Sequence, residues 1–380
     1  MAALTALRNG TKRYRMEPRG ITVFGATGYT GRLVVPELVA RGVRPMVAGR
    51  NAQKLAALAR EHGGLATFVA DVSRPDSLAA MAARSRVIVN CAGPFVDLGE
   101  PVVDAAIAAG AHYLDTTGEQ PFIRAVQQRD EKARAAGIAV VPAHAFEIAL
   151  SDCGAAILAR GYRDVASIEI AYATRFHASQ GTKRSILRML AAEAYGHEEG
   201  RLVSRPPGSY RRTFDLPEDW GRLEGVSFPS AEILTIPRHI RTRTVRTYLA
   251  LPRWAAVAAS WVVPAARLLA KTPLSYIGER WLGSGTSGPS PAVRAQDRFL
   301  ILIEIRGVRG GQARREALAI TGRDPYGVTA ALAAQGALRM LSESYDRRGV
   351  LAPAQAFEPE AVLADGSAFD VQWKKLSEPT

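Results

Sequence analysis

The sequence predicts an α/β protein: a doubly wound parallel sheet joined to a second, α+β unit that contains an antiparallel sheet. Three observations carry this. From Gly20 to Val141 six short β-rich runs alternate with alanine-rich helical stretches, the rhythm of βαβ units. A glycine-spaced loop, Gly25 to Gly31, stands between the first run and the first helical stretch. Beyond residue 151 the β-rich runs lengthen, and two of them flank Gly307, Gly310 and Gly311 as the arms of a hairpin would.

The strands of the first unit are expected at Ile21 to Phe24, Pro45 to Ala48, Ala66 to Ala70, Arg86 to Asn90, His112 to Leu114 and Ile138 to Val141. Helical stretches lie between them, among them Arg32 to Arg41, Gln53 to His62, Pro101 to Ala109 and Pro121 to Ala136. Right-handed crossovers of this kind put a ligand at the carboxyl ends of the strands. The organisation read from the chain is a basic arm over 1–18, a nucleotide-binding domain over 19–150, a second domain over 151–322, and a C-terminal helix and tail over 323–380.

Composition removes several alternatives. With 380 residues, 47% of them hydrophobic, the chain has ample material for a buried core and is not a disordered polymer. Cys91 and Cys153 are too few for a disulfide framework or a four-cysteine metal site, and no histidine spacing suggests a metal, so none is expected and a reducing, cytoplasmic setting is. The first residues carry Arg8, Lys12, Arg13 and Arg15 without an apolar h-region, unlike a secretory leader. The net charge of +13 is local: +6 falls in residues 232–280 and only +2 in 19–150. A nucleic-acid partner is therefore not expected.

The chemistry begins at Gly25-Ala26-Thr27-Gly28-Tyr29-Thr30-Gly31, a G-x-x-G-x-x-G variant of the dinucleotide fingerprint. Gly25 makes the turn, Gly28 lets the backbone approach a pyrophosphate, and Gly31 lets helix and strand pack closely. The second strand ends in Val47-Ala48-Gly49-Arg50-Asn51, where an NAD site would place an acid. Arg50 can pair with a 2'-phosphate instead, so NADP(H) is the expected cofactor. Asn51 reads as a helix cap, and Asp71 either faces the adenine or caps the next helix. Cys91-Ala92-Gly93-Pro94 follow the fourth strand as a small-residue passage over the cofactor. Asp115 and Glu119 follow the fifth; they are candidate acid/base groups, although Thr116, Thr117 and Glu119 also match capping chemistry, the preferred reading.

Taken together, G-A-T-G-Y-T-G (25–31), A-G-R-N (48–51), V-N-C-A-G-P-F (89–95), G-A-H-Y-L-D-T-T-G-E (110–119), D-P-Y-G-V-T-A (324–330) and G-V-L-A-P-A (349–354) are motifs in which the chain resembles the saccharopine dehydrogenase-like oxidoreductases, within them the branch of the mycobacterial trans-acting enoyl reductases. The resemblance implies a Rossmann-type NADP-binding domain, a second domain inserted between its sixth strand and the C-terminal helix, and reduction of a C=C or C=N bond. No tyrosine has a lysine four positions on, which argues against a short-chain dehydrogenase. Cys91 lies too near the cofactor path for a nucleophile, and Cys153, placed ahead of a helix Gly154 to Arg160, reads as a small buried thiol.

In the second domain, strands are expected at Ser167 to Thr174, Thr242 to Leu249, Phe299 to Ile305 and Arg314 to Ile320, while the arginine-rich residues 201–246 read as a loop-like cover. Thirteen residues, including Trp254 and Trp261, separate Arg253 from Arg267. That is too short for a membrane span, and Pro264 interrupts it. The helix over 252–271 is either a core or substrate-pocket helix or an interfacial one, flanked by Arg241, Arg243, Arg246, Arg253, Arg267 and Lys271. Tyr326 at the next helix start and His144 after the sixth strand are further catalytic candidates, each with a structural reading beside it. The function expected is an NADPH-dependent reductase of an apolar, carrier-bound or lipid substrate, in peripheral contact with an anionic membrane; an oligomer is compatible with it. A saccharopine-type imine or amino-acid reductase, and a non-catalytic nucleotide-binding scaffold on lipid surfaces, are the alternatives.

Overall fold

The structure, a computed structural model, describes residues 19–270 and 288–376. The basic arm over 1–18 and Lys271 lie outside the described residues. In the first domain β1 (Gly20–Phe24), α1 (Tyr29–Ala40), β2 (Met46–Gly49), α2 (Ala52–Glu61), β3 (Thr67–Val69), α3 (Pro75–Ala82), β4 (Ser85–Asn90), α4 (Phe95–Ala109), β5 (His112–Asp115), α5 (Gln120–Gln127), α6 (Asp130–Ala135) and β6 (Ala139–Val141) follow one another. The long helix expected from Pro121 to Ala136 is two, α5 and α6.

The second domain follows as α7 (Phe146–Ala159), β7 (Tyr162–Arg175), α8 (Gln180–Ala191), β8 (Tyr195–Glu198), β9 (Arg201–Ser204), β10 (Arg211–Leu216), β11 (Gly221–Ser227), α9 (Glu232–Thr235), β12 (Thr242–Leu251) and α10 (Arg253–Ala270). Past the undescribed segment come α11 (Pro291–Arg294), β13 (Arg298–Arg309), β14 (Gln312–Arg323), α12 (Pro325–Leu341), β15 (Gly349–Val350), α13 (Pro353–Ala356), α14 (Pro359–Asp365) and β16 (Gln372–Leu376).

The first sheet runs β15-β6-β5-β4-β1-β2-β3 and is parallel throughout. Its central strands are buried on both faces, with Val23, Val47, Val89 and Leu114 on one side and Phe24, Ala48, Ile88 and Tyr113 on the other, which is why they read as continuous apolar runs rather than alternating ones. The chain returns to this sheet late. α12 packs against α1, β1, β4 and β5, β15 extends the edge beside β6, and β16 instead pairs with β14 in the second sheet.

That second sheet runs β10-β11-β12-β7-β13-β14-β16. It is mixed rather than antiparallel: β7 and β12 pair in parallel while the other neighbours are antiparallel. The hairpin of β13 and β14 is longer than expected, with twelve registered pairs from Arg298–Arg323 to Arg309–Gln312. Residues 201–246 are not a loop-like cover, since β9, β10, β11 and the start of β12 lie there. In β10 the outward Arg211, Thr213 and Asp215 alternate with Arg212, Phe214 and Leu216, and that edge-strand alternation resembles a polar loop when only composition is read. Cys153 is inside α7 rather than ahead of a helix. α7 packs on β7, β13 and β14 of the second sheet and is covered by α9, α12, α13 and α14, so it is buried almost around its circumference; a Cβ on Gly154 would come within 2.6 Å of Ile303, so the glycine permits the close approach to β13.

Candidate functional site between the two domains

The loop from β1 to α1 is tied to β2, because the Gly25 and Ala26 amides donate to the Ala48 carbonyl at 2.9 and 3.2 Å. Gly25 has φ +74°, and a Cβ there would meet the Ala92 nitrogen at 2.8 Å; one on Gly31 would stand 2.5 Å from the Gly25 carbonyl. The loop can be built this tightly only without those side chains. The N-terminus of α1 has Gly28 as its cap and no side-chain capping bond, which leaves first-turn amides available to phosphate oxygens. This geometry fits a dinucleotide.

At the end of β2, Arg50 is exposed and Asn51 caps α2 by accepting from the Lys54 amide at 2.9 Å. Asp71 accepts from the amide and hydroxyl of Ser73 at 2.9 and 2.8 Å, a turn that leads into α3. These bonds hold its carboxyl below the usual range, with the Arg50 charge adding to the effect. Arg50 and Asp71 therefore share one corner of the sheet's carboxyl edge.

A cavity of about 390 Å³ opens from Gly28, Tyr29 and Thr30 across Cys91, Gly93, Thr116 and Gly118 to the second domain. There its wall is built by Phe146 and Glu147 at the start of α7, Tyr172, Thr174 and Phe176 at the end of β7, residues of α8, and Phe228, Ser230 and Leu249. Burial pushes the Cys91 thiol up to about 12, so it is protonated and no nucleophile. The Tyr29 hydroxyl donates to the Pro289 carbonyl at 2.7 Å, and burial raises it to about 12 as well.

The four acid/base candidates from the sequence lie behind this wall rather than in it. Glu119 accepts from the Phe95 and Val96 amides at 3.1 and 2.8 Å and from Ser185 at 2.7 Å, clamping the start of α4 to α8. Asp115 accepts from the Thr117 and Ala143 amides at 2.9 Å each, and burial pushes it up to about 7. His144 is fully buried against Phe357, 4.9 Å between ring centres, and burial lowers it to about 3, so it is neutral. Tyr326 accepts from the Ser179 amide at 2.7 Å and contacts Thr182 at 2.7 Å, edge-on to Tyr29.

Sequence reasoning missed Glu147, Tyr172 and Glu232. Burial pushes Glu147 up to about 7 and Glu232 up to about 8, partly offset by Ser151. The Tyr172 hydroxyl contacts Glu232 and stands 3.1 Å from the Ser151 hydroxyl, which itself donates to Glu232 at 2.5 Å.

Residues 21–141 match the sequence profile of the saccharopine dehydrogenase NADP binding domain. Those residues thus form a domain similar to the NADP-binding domain of the saccharopine dehydrogenases. Its cofactor is accordingly NADP(H). A human saccharopine dehydrogenase-like oxidoreductase is 34% identical over 156 residues, 36% of each chain. A trans-acting enoyl reductase of Mycobacterium ulcerans is 37% identical over 139 residues, 35% of this chain and 33% of that one. A further relative, from Mycobacterium tuberculosis, is 32% identical over 199 residues, 48% of its length; the chain thus spans about half the length, or less, of these curated relatives. The fold of the saccharopine dehydrogenase type extends further. Apo saccharopine dehydrogenase (L-Glu forming) from Saccharomyces cerevisiae superposes with a TM-score of 0.62 at 12% identity, covering 94% of this chain and 100% of that one.

No described side chain of the helix with the two tryptophans lines the cavity. α10 rests on α8, β11 and β12 and buries Ala256, while Trp254 and Trp261 are 76% and 78% exposed and Val257 and Val262 stand outside with them. Two arginines of the expected flank, Arg243 and Arg246, are engaged elsewhere. β12 spans roughly 30 Å, so Arg243 is at its far end, paired with Asp164 at 3.3 Å, and Arg246 faces Glu169 and the Tyr210 ring. Arg253 is the arginine beside the tryptophans whose surroundings the structure describes. Among the described residues no helix is long and apolar enough to cross a membrane.

Proposed function

We propose that the chain is an NADPH-dependent reductase that saturates an activated C=C bond of an apolar substrate. The observation that carries this is the cavity itself, which starts at the glycine loop and ends among Phe146, Phe176, Phe228, Leu249 and Ile186. Gly25, Gly28 and Gly31, with the α1 amides, would seat the pyrophosphate; Arg50 would meet the 2'-phosphate; Cys91, Ala92, Gly93 and Pro94 would lie along the nicotinamide half. When bound, the cofactor supplies a hydride. The chain's own part is to hold the double bond at the inner end of the cavity and to keep water out of it. An amino-acid or imine substrate would call for several converging arginines, and Arg184 is the arginine among the described wall residues.

The exposed face of α10 supports a finer reading, in which the substrate comes from a lipid surface or an apolar carrier. Trp254, Val257 and Trp261 recur at helical spacing on one side, the pattern of a helix that lies in an interface. Two measurements test the proposal on the purified chain. NADPH is expected to bind more tightly than NADH by fluorescence titration, and a panel of hydrophobic enones or enoyl thioesters is expected to be reduced at NADPH's expense. Tight NADPH binding without turnover of any of them would favour the scaffold reading.

A further inference from the structure

Reduction of an activated C=C bond needs a proton as well as a hydride, and the wall of the cavity holds few groups able to give one. The Cys91 thiol and the Tyr29 hydroxyl are both pushed up to about 12 by burial. Asp115 and Glu119 are occupied with backbone amides away from the wall. Tyr172 faces the cavity, but its hydroxyl is engaged with Glu232 and Ser151.

Glu147 differs from all of these. It is the second residue of α7, its side chain lines the cavity, and its carboxyl meets its own backbone amide with no other hydrogen-bond partner among the described residues. It lies opposite Gly118, where a Cβ would come within 3.8 Å of Glu147 Oε1. Gly118 belongs to the loop after β5, at the carboxyl edge of the parallel sheet, where the nicotinamide half of a dinucleotide ends.

We propose that Glu147 is the proton donor of this site. The assignment rests on the reductase reading. Hydride addition at the β-carbon reduces the substrate and leaves the electron pair of the former double bond on the α-carbon and its carbonyl. The Glu147 O–H bond then breaks, its proton forms the new bond to the α-carbon, and the carboxylate takes a proton from water before the next turnover. Burial supports the role, since it keeps Glu147 protonated to about pH 7. The charged and titratable groups that share the cavity with it are Tyr29 on α1, Cys91 after β4, Tyr172 on β7 and Arg184 on α8, and Glu232 on α9 is close enough to feel its charge.

The test uses the whole chain and Glu147→Gln. The variant is expected to bind NADPH within about twofold of the wild type and to reduce the best enone at least about 100-fold more slowly, without the fall in kcat that the wild type shows above neutral pH. Infrared titration without cofactor gives an independent readout: the wild type minus variant difference spectrum is expected to hold one protonated carboxyl component that disappears as the pH rises through about 7, while the components of Asp115 and Glu232 are common to both proteins. If the wild type turns over and Glu147→Gln matches it, the donor assignment is overturned while the reductase reading stands; if the wild type reduces no enone, the reductase reading falls and takes the donor role with it. Should Glu147→Gln fail to bind NADPH, Glu147→Asp carries the test. It is expected to keep a pH-dependent kcat at reduced rate, and a pH profile superimposable on the wild type's would overturn the assignment.

Discussion

His239 Nε2 stands 3.0 Å from Asp152 Oδ1, and Asp152 also accepts from the Thr235 hydroxyl and the Ala354 amide at 2.8 and 2.9 Å. One fully buried carboxylate thus joins α7 to the segment around α9 and to α13. Burial alone would raise the Asp152 carboxyl, but the His239 charge and these bonds outweigh it and hold it below the usual range. In the same way burial would lower His239, and Asp152 raises it.

The pair therefore stabilises the fold over a window of pH. The Asp152 share is present above about pH 3.9 and is lost as pH falls through its lowered value; the His239 share is full below about pH 6.5 and is lost as pH rises through its raised value. His239→Ala is expected to cost about 3 kcal/mol near pH 6 and less at pH 9, measured by urea unfolding. A cost that does not depend on pH would sink this account.

Glu232 adds a second loss of stability on the alkaline side. Its acid is raised to about 8, so between pH 5 and 8 the folded chain holds a proton there that the unfolded chain has released. That contribution falls by up to about 1.4 kcal/mol per pH unit across the interval. Glu232→Gln removes the slope, and the stability difference between wild type and variant is expected to shift in the variant's favour as pH rises. Parallel unfolding curves for the two proteins from pH 5 to 8 would contradict it.

Arg50 is exposed at the end of β2, so the proposed pairing with a 2'-phosphate would be screened but not lost. Arg50→Ala is expected to weaken NADPH binding about tenfold and to leave NADH binding nearly unchanged. Equal losses for both cofactors would assign Arg50 a structural part instead.

Trp254 and Trp261 touch little of the fold, and replacing both with alanine should change stability by no more than about 0.5 kcal/mol. Binding to phospholipid vesicles is expected to fall about tenfold in the same variant. Unaltered flotation with vesicles would remove the lipid-surface reading.

Both thiols should be slow to react in the folded chain. Burial raises Cys153 well above its ordinary range and Cys91 to about 12, so iodoacetamide at pH 8 is expected to label neither within the time that labels both in urea. Fast labelling of Cys91 in the native state would show an open cavity wall there.

The parts of the molecule legible in the sequence are those where a local pattern decides the outcome. Gly25, Gly28 and Gly31 announce their loop because its backbone admits no side chains, and the strands around Val23 and Val89 show as apolar runs because both faces are covered. Asn51 was readable as a cap and forms one. Glu147, Tyr172 and Glu232 were not readable, since they come from a helix start, a strand and a short helix far apart in the chain, and each alone resembles an ordinary residue of its element. Only the crossing of α7 over β7 and α9 brings them together. The exposure of Trp254 and Trp261 was also hidden, because helical spacing puts them on one side without saying whether that side meets protein or solvent. Residues 201–246 were misread because arginines such as Arg211 and Arg222 sit on strands whose other face is buried.

The late return of α12 and β15 to the first sheet bears on how the protein is made. When Val141 leaves the ribosome, all six earlier strands of that sheet exist, but the helix that covers β1, β4 and β5 has not been synthesised. Roughly 200 further residues must be translated before α12 is complete, a delay of about 10–40 s. Through that interval the apolar strand faces around Val23, Val89 and Leu114 wait without their native cover. Exposed apolar strand faces of that kind favour aggregation, so the nascent chain would be most vulnerable at one definite stage, between the sixth strand and the twelfth helix.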